Sequence, residues 1–223
     1  MNLDLFKELA NVFKEKGFDL FLVGGSVRDY LLTSSFSDAD FVSNASIEEM
    51  EKFLKVKAKF KKYESGKFIY KDEIIDITSL RIEEGYKDFR HPSIIKRVNT
   101  PKEEYLRRDF TINALYMDKD ENILDYTDGI NDLKKGVIRM IGDPNIRLQE
   151  DPLRILRALR FSNRLGFKID EDLLIAINKH KSLLEKLNKE KVKEELKKFL
   201  LNEEELFNLL NSYKIDVSFL KEN

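Results

Sequence analysis

Apolar positions in the first residues recur at helical spacing: Leu3, Phe6, Leu9, Ala10 and Phe13 share one stripe, which predicts a helix over 2–16. The rhythm then shortens. Asp19–Val23 (DLFLV) predicts a strand ending at Gly24-Gly25, and Ser26–Leu32 a helix that starts there. Ala39–Val42 predicts a second strand, Ile47–Leu54 a helix, and 56–62, 67–71 and 73–80 three more strands. Residues 81–99, rich in Arg, Lys and Glu, read as a polar loop. Residues 102–117 read as a helix or helix pair, followed by short strands at Asn122–Leu124 and Val137–Met140. From Asn145 onward the pattern is helical throughout, with helices over 148–165, 171–185, 189–201 and 203–212. The turn-forming Gly142-Asp143-Pro144 separates the two regimes.

Composition narrows the chemistry. Lys plus Arg is 40 against 41 for Asp plus Glu, a formal charge of -1, which excludes a globally basic nucleic-acid coat but leaves room for a local basic strip. Cysteine is absent, so disulfides, thiolate nucleophiles and Cys-based zinc sites fall away together. His91 and His180 are the only histidines, too few for a His-rich metal site. No apolar run reaches the roughly 20 residues of a membrane span, and the acidic amphipathic N-terminus is unlike a leader peptide. The expected location is the cytoplasm, with no membrane partner. All 12 Arg lie between Arg28 and Arg164, in a chain that otherwise favours Lys. Each Arg is therefore informative, because its planar fork does what an ammonium cannot.

Five segments carry candidate chemistry. In VGGSVRD (23–29), Gly24 and Gly25 permit a tight strand-to-helix turn, the helix start offers N–H groups to phosphate oxygens, and Arg28 adds a forked cation. Taken alone, it reads equally well as a plain turn with a surface Arg. In SDAD (37–40), Asp38 and Asp40 point to one face of a strand, and paired carboxylates of this kind suit Mg²⁺. A solvated acidic turn is the alternative. Asp76, flanked by Ile75 and Ile77, is costly to bury unpaired; if its strand lies beside the DAD strand, three acids converge on a two-metal site. Otherwise Asp76 marks the exposed face of an edge strand. YLRRDFTINA (105–114) gathers Arg107, Arg108, Asp109 and Asn113 on one helix end, with Asp109 also a candidate N-cap. In EDPLRILRALRF (150–161), Asp151, Arg154 and Arg157 form a slanting helical stripe with Arg160 on its edge.

GGSVRD, DAD, RRDFTINA and EDPLRILRALRF, in this order and spacing, resemble the class II tRNA nucleotidyltransferase (CCA-adding enzyme) and bacterial poly(A) polymerase family. Its members are polymerase β-like nucleotidyltransferases. The resemblance spans about residues 19 to 167, with a fainter continuation at 189–200. It implies an α+β fold: a nucleotidyltransferase head with a mixed β-sheet and helices, then an all-helical neck. It also implies an enzyme that adds CMP and AMP, from CTP and ATP, to the 3′ end of tRNA with Mg²⁺. By motif position Gly24, Gly25 and Arg28 would hold the triphosphate, Asp38 and Asp40 the metals, with Asp76 the third acid. Arg108 would contact the nucleotide near its ribose. Asp151 and Arg154 would read the base edge, supported by Arg157 and Arg160. The expected division is a catalytic head at 1–143, a neck at 144–201 and a short helical C-terminus at 202–223, without the longer relatives' body and tail. A homo-oligomer or an accessory subunit is then expected to complete the grip on tRNA. A-adding-only or poly(A) polymerase activity is the close alternative, although residues 85–98 retain a segment that CC-adding members lack. A catalytically silent RNA-binding remnant is the distant one, since such a remnant has no need of three acids.

Overall fold

The N-terminal stripe forms α1 (Leu3–Glu15), which buries Phe6, Leu9, Ala10 and Phe13. Full burial of each of the Phe and Leu side chains contributes about 1.5–3 kcal/mol. The computed structural model describes residues 3–36, 39–60, 63–86, 89 and 92–220. They form two compact units, one of residues to Glu84 with Ile94–Leu133, the other of Gly85–Ser93 with Lys134 onward.

The first unit is built on one sheet. Its strands are β1 (Leu20–Val23), β2 (Asp40–Ser43), β3 (Lys55–Phe60), β4 (Ser65–Tyr70) and β5 (Glu73–Ser79), joined later in the chain by Leu115–Met117 and Ile123–Asp125. Helices α2 (Gly25–Thr33) and α3 (Ile47–Met50) lie between the early strands in sequence. Two further strands, β6 (Arg81–Tyr86) and β7 (Pro92–Arg97), pair as a separate ribbon. Counting them in order, Leu115–Met117 is β8 and Ile123–Asp125 is β9. The sheet order is β3-β4-β5-β2-β1-β8-β9, antiparallel except for the parallel β2/β5 pair. This is the mixed sheet of the expected α+β class.

Side-chain alternation gives the sheet two different faces. Leu20, Leu22, Phe41, Phe68, Ile75, Ile77, Leu115 and Met117 pack on one side with Phe6, Leu9 and Phe13 of α1, Val27 of α2 and Met50 of α3. Among the described residues the other side carries a smaller cluster of Val23, Val42, Leu80 and Tyr116, with Phe21, Val98, Tyr105, Leu124 and Tyr126 packed against it. That thinly covered face is where polar chemistry can reach solvent.

Several expectations are corrected. The supposed loop at 81–99 contains the β6/β7 ribbon. The supposed helix pair at 102–117 is a single turn, α4 (Pro101–Glu104), two 3-10 turns at Tyr105–Arg107 and Thr111–Asn113, and strand β8. Helix Ile47–Leu54 stops at Met50, and an unexpected α5 spans Gly129–Lys135.

In the second unit, β10 (Val137–Ile138) pairs in parallel with β11 (Lys168–Ile169), so the C-terminal half is not wholly helical. The expected helix 148–165 is two: α6 (Pro144–Glu150) and α7 (Leu153–Leu165). Pro152 explains the break, because a proline disfavours the helical region for the residue before it. Asp151 is accordingly extended, at φ −147 and ψ 95. Then follow α8 (Glu171–His180), a 3-10 stretch at Lys181–Lys186, α9 (Lys189–Lys197) and α10 (Glu203–Ser212). Among the described residues no helix is long and apolar enough to cross a membrane.

Candidate active site

The β1–α2 turn is shaped by glycine. Gly24 has φ 70 and ψ −127, a region that residues with a Cβ avoid, and its N–H donates to the Leu115 carbonyl at 3.1 Å. Two guanidinium groups close on this turn. A Cβ on Gly24 would lie 3.7 Å from Arg108 Nη1, and one on Gly25 would lie 3.4 Å from Arg28 Nη2. Arg28 is only 2% exposed. Its Nη1 donates to Asn113 Oδ1 at 2.6 Å, and its Nε and Nη2 donate to Asp29 Oδ1 at 2.9 and 2.7 Å. Asn113 in turn donates to Asp109 Oδ1 at 3.2 Å, an oxygen that also accepts from the Phe110 N–H. Asp109 therefore braces the segment before β8 instead of capping a long helix.

The carboxylates lie beside this turn. Asp40 opens β2, and its N–H donates to Ser26 Oγ at 3.0 Å, which ties the strand to the start of α2. In the parallel β2/β5 pair Asp40 and Asp76 are register partners, so both project from the thinly covered face. Leu22 pairs with Phe41, which places Val23 and the Gly24 turn next in line with Asp40. Asp76 is neither buried nor on an edge strand. Its side chain is 53% exposed, its strand is interior to the sheet, and its Oδ2 accepts from Lys67 Nζ at 2.8 Å. Lys67 is itself the cross-strand partner of Asp76 on β4. Asp38 lies outside the described residues. Among the described residues no three acidic, His or Cys side chains come together as a metal cluster. The pair Asp40 and Asp76 offers only hard oxygen donors, which suits Mg²⁺ and not a soft metal.

A buried carboxylate stands behind Arg108. Glu104 has no exposure and is bound by Arg107, Arg108 and the Tyr116 hydroxyl. Burial pushes its carboxyl up, but Arg107, Arg108 and Tyr116 outweigh that and hold it at about 2. Burial and the Glu104 charge raise the Tyr116 hydroxyl above its usual range, so it stays protonated and donates. Glu104, Tyr116 and Lys67 escaped the sequence reading. Glu104 precedes Arg108 by four residues, a spacing indistinguishable from an ordinary surface pair.

In the second unit, Asp151 sits just outside α7 and not on its face. Its Oδ1 accepts from the Leu153 N–H at 3.1 Å, so the expected continuous stripe from Asp151 to Arg157 does not exist. Arg154 and Arg160 are largely buried. Arg154 Nη1 donates to the Arg147 carbonyl at 2.7 Å and to Glu150 Oε2 at 3.0 Å, and its guanidinium lies 5.7 Å from the Tyr86 ring centre. Arg160 donates to Glu195 Oε1 at 2.8 Å and stacks on Phe161, as does Arg157. Burial pushes the Glu195 carboxyl up, but Lys198 and Arg160 hold it below the usual range.

Comparison with known proteins identifies the family. The family model described as "Poly A polymerase head domain" matches residues 20–139, and one described as "Probable RNA and SrmB- binding site of polymerase A" matches 166–215. The CCA-adding enzyme of Enterococcus faecalis is 41% identical over 200 residues, covering 88% of this chain and 49% of that protein. The crystal structure of the Bacillus stearothermophilus CCA-adding enzyme in complex with CTP superposes with a TM-score of 0.85 at 28% identity, covering 96% of this chain and 53% of that one. The Thermotoga maritima CCA-adding enzyme complexed with tRNA-CCA gives 0.76 at 28% identity, covering 95% and 50%. The chain thus spans about half the length of the curated relatives it matches. With the glycine turn, the register-paired acids and a family match running through both, the chain belongs to the poly(A) polymerase head-domain family.

Proposed function

We propose that this chain carries the catalytic head and neck of a tRNA nucleotidyltransferase that adds CMP and AMP, without a template, to the 3′ end of tRNA. The observation that carries the reading is the open sheet face on which Asp40 and Asp76 stand in register beside the Gly24 turn, with Arg28 and Arg108 behind it. The names of the relatives, and the CTP and tRNA in two of their structures, support the same substrates. The functional division is a head at 1–143, a neck at 144–201 and a short C-terminal region at 202–223.

In the reaction the 3′-hydroxyl oxygen of the RNA bonds to the α-phosphorus of CTP or ATP. The bond from that phosphorus to the bridging oxygen breaks, pyrophosphate departs and the hydroxyl proton is lost. Asp38 and Asp40 would hold Mg²⁺, with Asp76 as the third acid; the ion, when bound, supplies charge neutralisation and a more acidic attacking hydroxyl. Gly24 and Gly25 let the triphosphate approach the main chain at the start of α2. Arg28 lends its charge from beneath the turn while Asp29 and Asn113 hold its orientation. Arg108 meets the nucleotide from the Gly24 side.

Base choice falls to the start of α7. Asp151 accepts hydrogen bonds and Arg154 only donates them. Cytosine and adenine each present an amino donor beside a ring-nitrogen acceptor, which matches this pair; uracil and guanine present the reverse. A mispaired buried group costs about 1–3 kcal/mol, so two can give roughly 10⁴-fold rejection. Arg157 and Arg160 support this edge from the next turns of α7. The expected result is that Asp151→Ala lets UTP and GTP compete while pyrophosphate release persists, as read by kcat/KM for all four nucleotides. An equal loss with every nucleotide would make Asp151 a structural residue and not a base reader.

The decisive experiment offers tRNA ending before CCA, after C and after CC, with each nucleotide in turn and Mg²⁺, and sizes the products on a gel. Addition of C, C and A in order supports the reading. A-only addition would support an A-adding enzyme, and long A tails a poly(A) polymerase, which the description of the head-domain model favours. No extension of any substrate would overturn both.

A further inference from the structure

Glu104 is fully buried, yet the reaction proposed above gives it no task. A carboxylate without exposure survives in a folded chain only when its partners compensate the lost water. Here the compensation is directed at one side chain. Arg108 Nε donates to Glu104 Oε2 at 2.9 Å and to the Tyr116 hydroxyl at 2.9 Å, while its Nη2 donates to Glu104 Oε1 at 3.1 Å. The guanidinium also lies 5.0 Å from the centre of the Tyr116 ring. Tyr116 is itself fixed, because it pairs in register with Val23, the residue before Gly24. With the Nε/Nη2 edge and one face of the guanidinium engaged, its Nη1 lies 3.7 Å from where a Cβ on Gly24 would sit.

We propose that Glu104 and Tyr116 are positioning residues for nucleotide binding, which lock the Arg108 guanidinium against the Gly24 turn. This rests on the reading of that turn as the triphosphate site. An arginine already held in its binding geometry loses little rotamer freedom when the nucleotide arrives, so its contacts translate into affinity. A tyrosine here supplies what phenylalanine cannot: a hydroxyl that fixes Nε while its ring supports the guanidinium plane.

The test uses the full chain and four proteins: wild type, Tyr116→Phe, Arg108→Ala and the double variant. CTP binding is measured by calorimetry with Mg²⁺ and without RNA, alongside thermal midpoints and steady-state constants. Tyr116→Phe keeps the buried ring, so the fold is expected to survive. Affinity for CTP should fall about tenfold, as expected for one lost hydrogen bond to a charged group. KM should rise by the same factor, with kcat within about twofold. In the Arg108→Ala background the same substitution should change CTP affinity no further. Equal weakening in both backgrounds, or none in the intact chain, would overturn the positioning role. Glu104→Gln provides a second reading of the same coupling, with an identical expectation in the two backgrounds. If wild type binds neither CTP nor ATP, the triphosphate reading itself fails and this inference falls with it.

Discussion

Asp40→Asn abolishes nucleotide transfer: turnover is expected to fall by about three orders of magnitude or more, while the protein stays folded. The size follows from what the carboxylate supplies. Stabilising charge on a reacting phosphoryl group through a bound metal is worth several kcal/mol, and every 1.4 kcal/mol is about tenfold in rate. Few other side chains could replace the lost ligand: the chain has no cysteine and two histidines, His91 and His180. The fold is expected to survive loss of the charge. Asp40 is exposed, its structural bond to Ser26 runs through the backbone N–H, and removing one of two register-paired acids relieves repulsion with Asp76. The thermal midpoint should therefore hold or rise. Asp38→Ala should match the catalytic loss. Asp76→Asn should cost less, because its partner Lys67 already offsets its charge. Product sizing beside a melting curve checks all three, and near wild-type extension by Asp40→Asn would remove that residue from the reaction.

Glu104→Ala is the largest expected loss of stability, about 3–5 kcal/mol, because it strands the charges of Arg107 and Arg108 and the Tyr116 hydroxyl. In a chain of this length that is roughly a 10–15 °C drop in thermal midpoint. The pH dependence has a definite sign. The folded carboxyl titrates at about 2, below its ordinary 4.5. Its contribution is then fully present above pH 4.5 and is lost as pH falls through the folded value. The gap between wild type and Glu104→Ala in urea midpoints should thus be constant from pH 7 to about 5 and shrink toward pH 2–3. A gap that does not change with pH would mean that Glu104 stabilises by packing and not by charge.

What could be read directly from the residues is what depends on neighbours a few positions away. The stripe of α1, the apolar run of β1, the Gly24-Gly25 turn and the spacing of Asp38 and Asp40 are local, and period and turn chemistry are enough to expose them. The break at Pro152 is also encoded locally, since proline constrains Asp151 by covalent geometry, but the helical periodicity on both sides reads straight through it. The rest was decided by pairing across distance. Strand β8 exists because β1 and β9 supply its hydrogen bonds, and β6 because β7 does; three apolar residues or an alternating charged run look the same in a loop. Strand order alone brings Asp76 to Asp40 across some 36 residues, and it sets Lys67 on the opposite flank. Burial separates Glu104, hidden under two arginines and a tyrosine, from Glu103 beside it, which is exposed and caps a turn. The local sequence names the reactive groups, but which of them share a face and which lose their water follows from long-range packing, because dielectric and register belong to the assembled sheet and not to the chain.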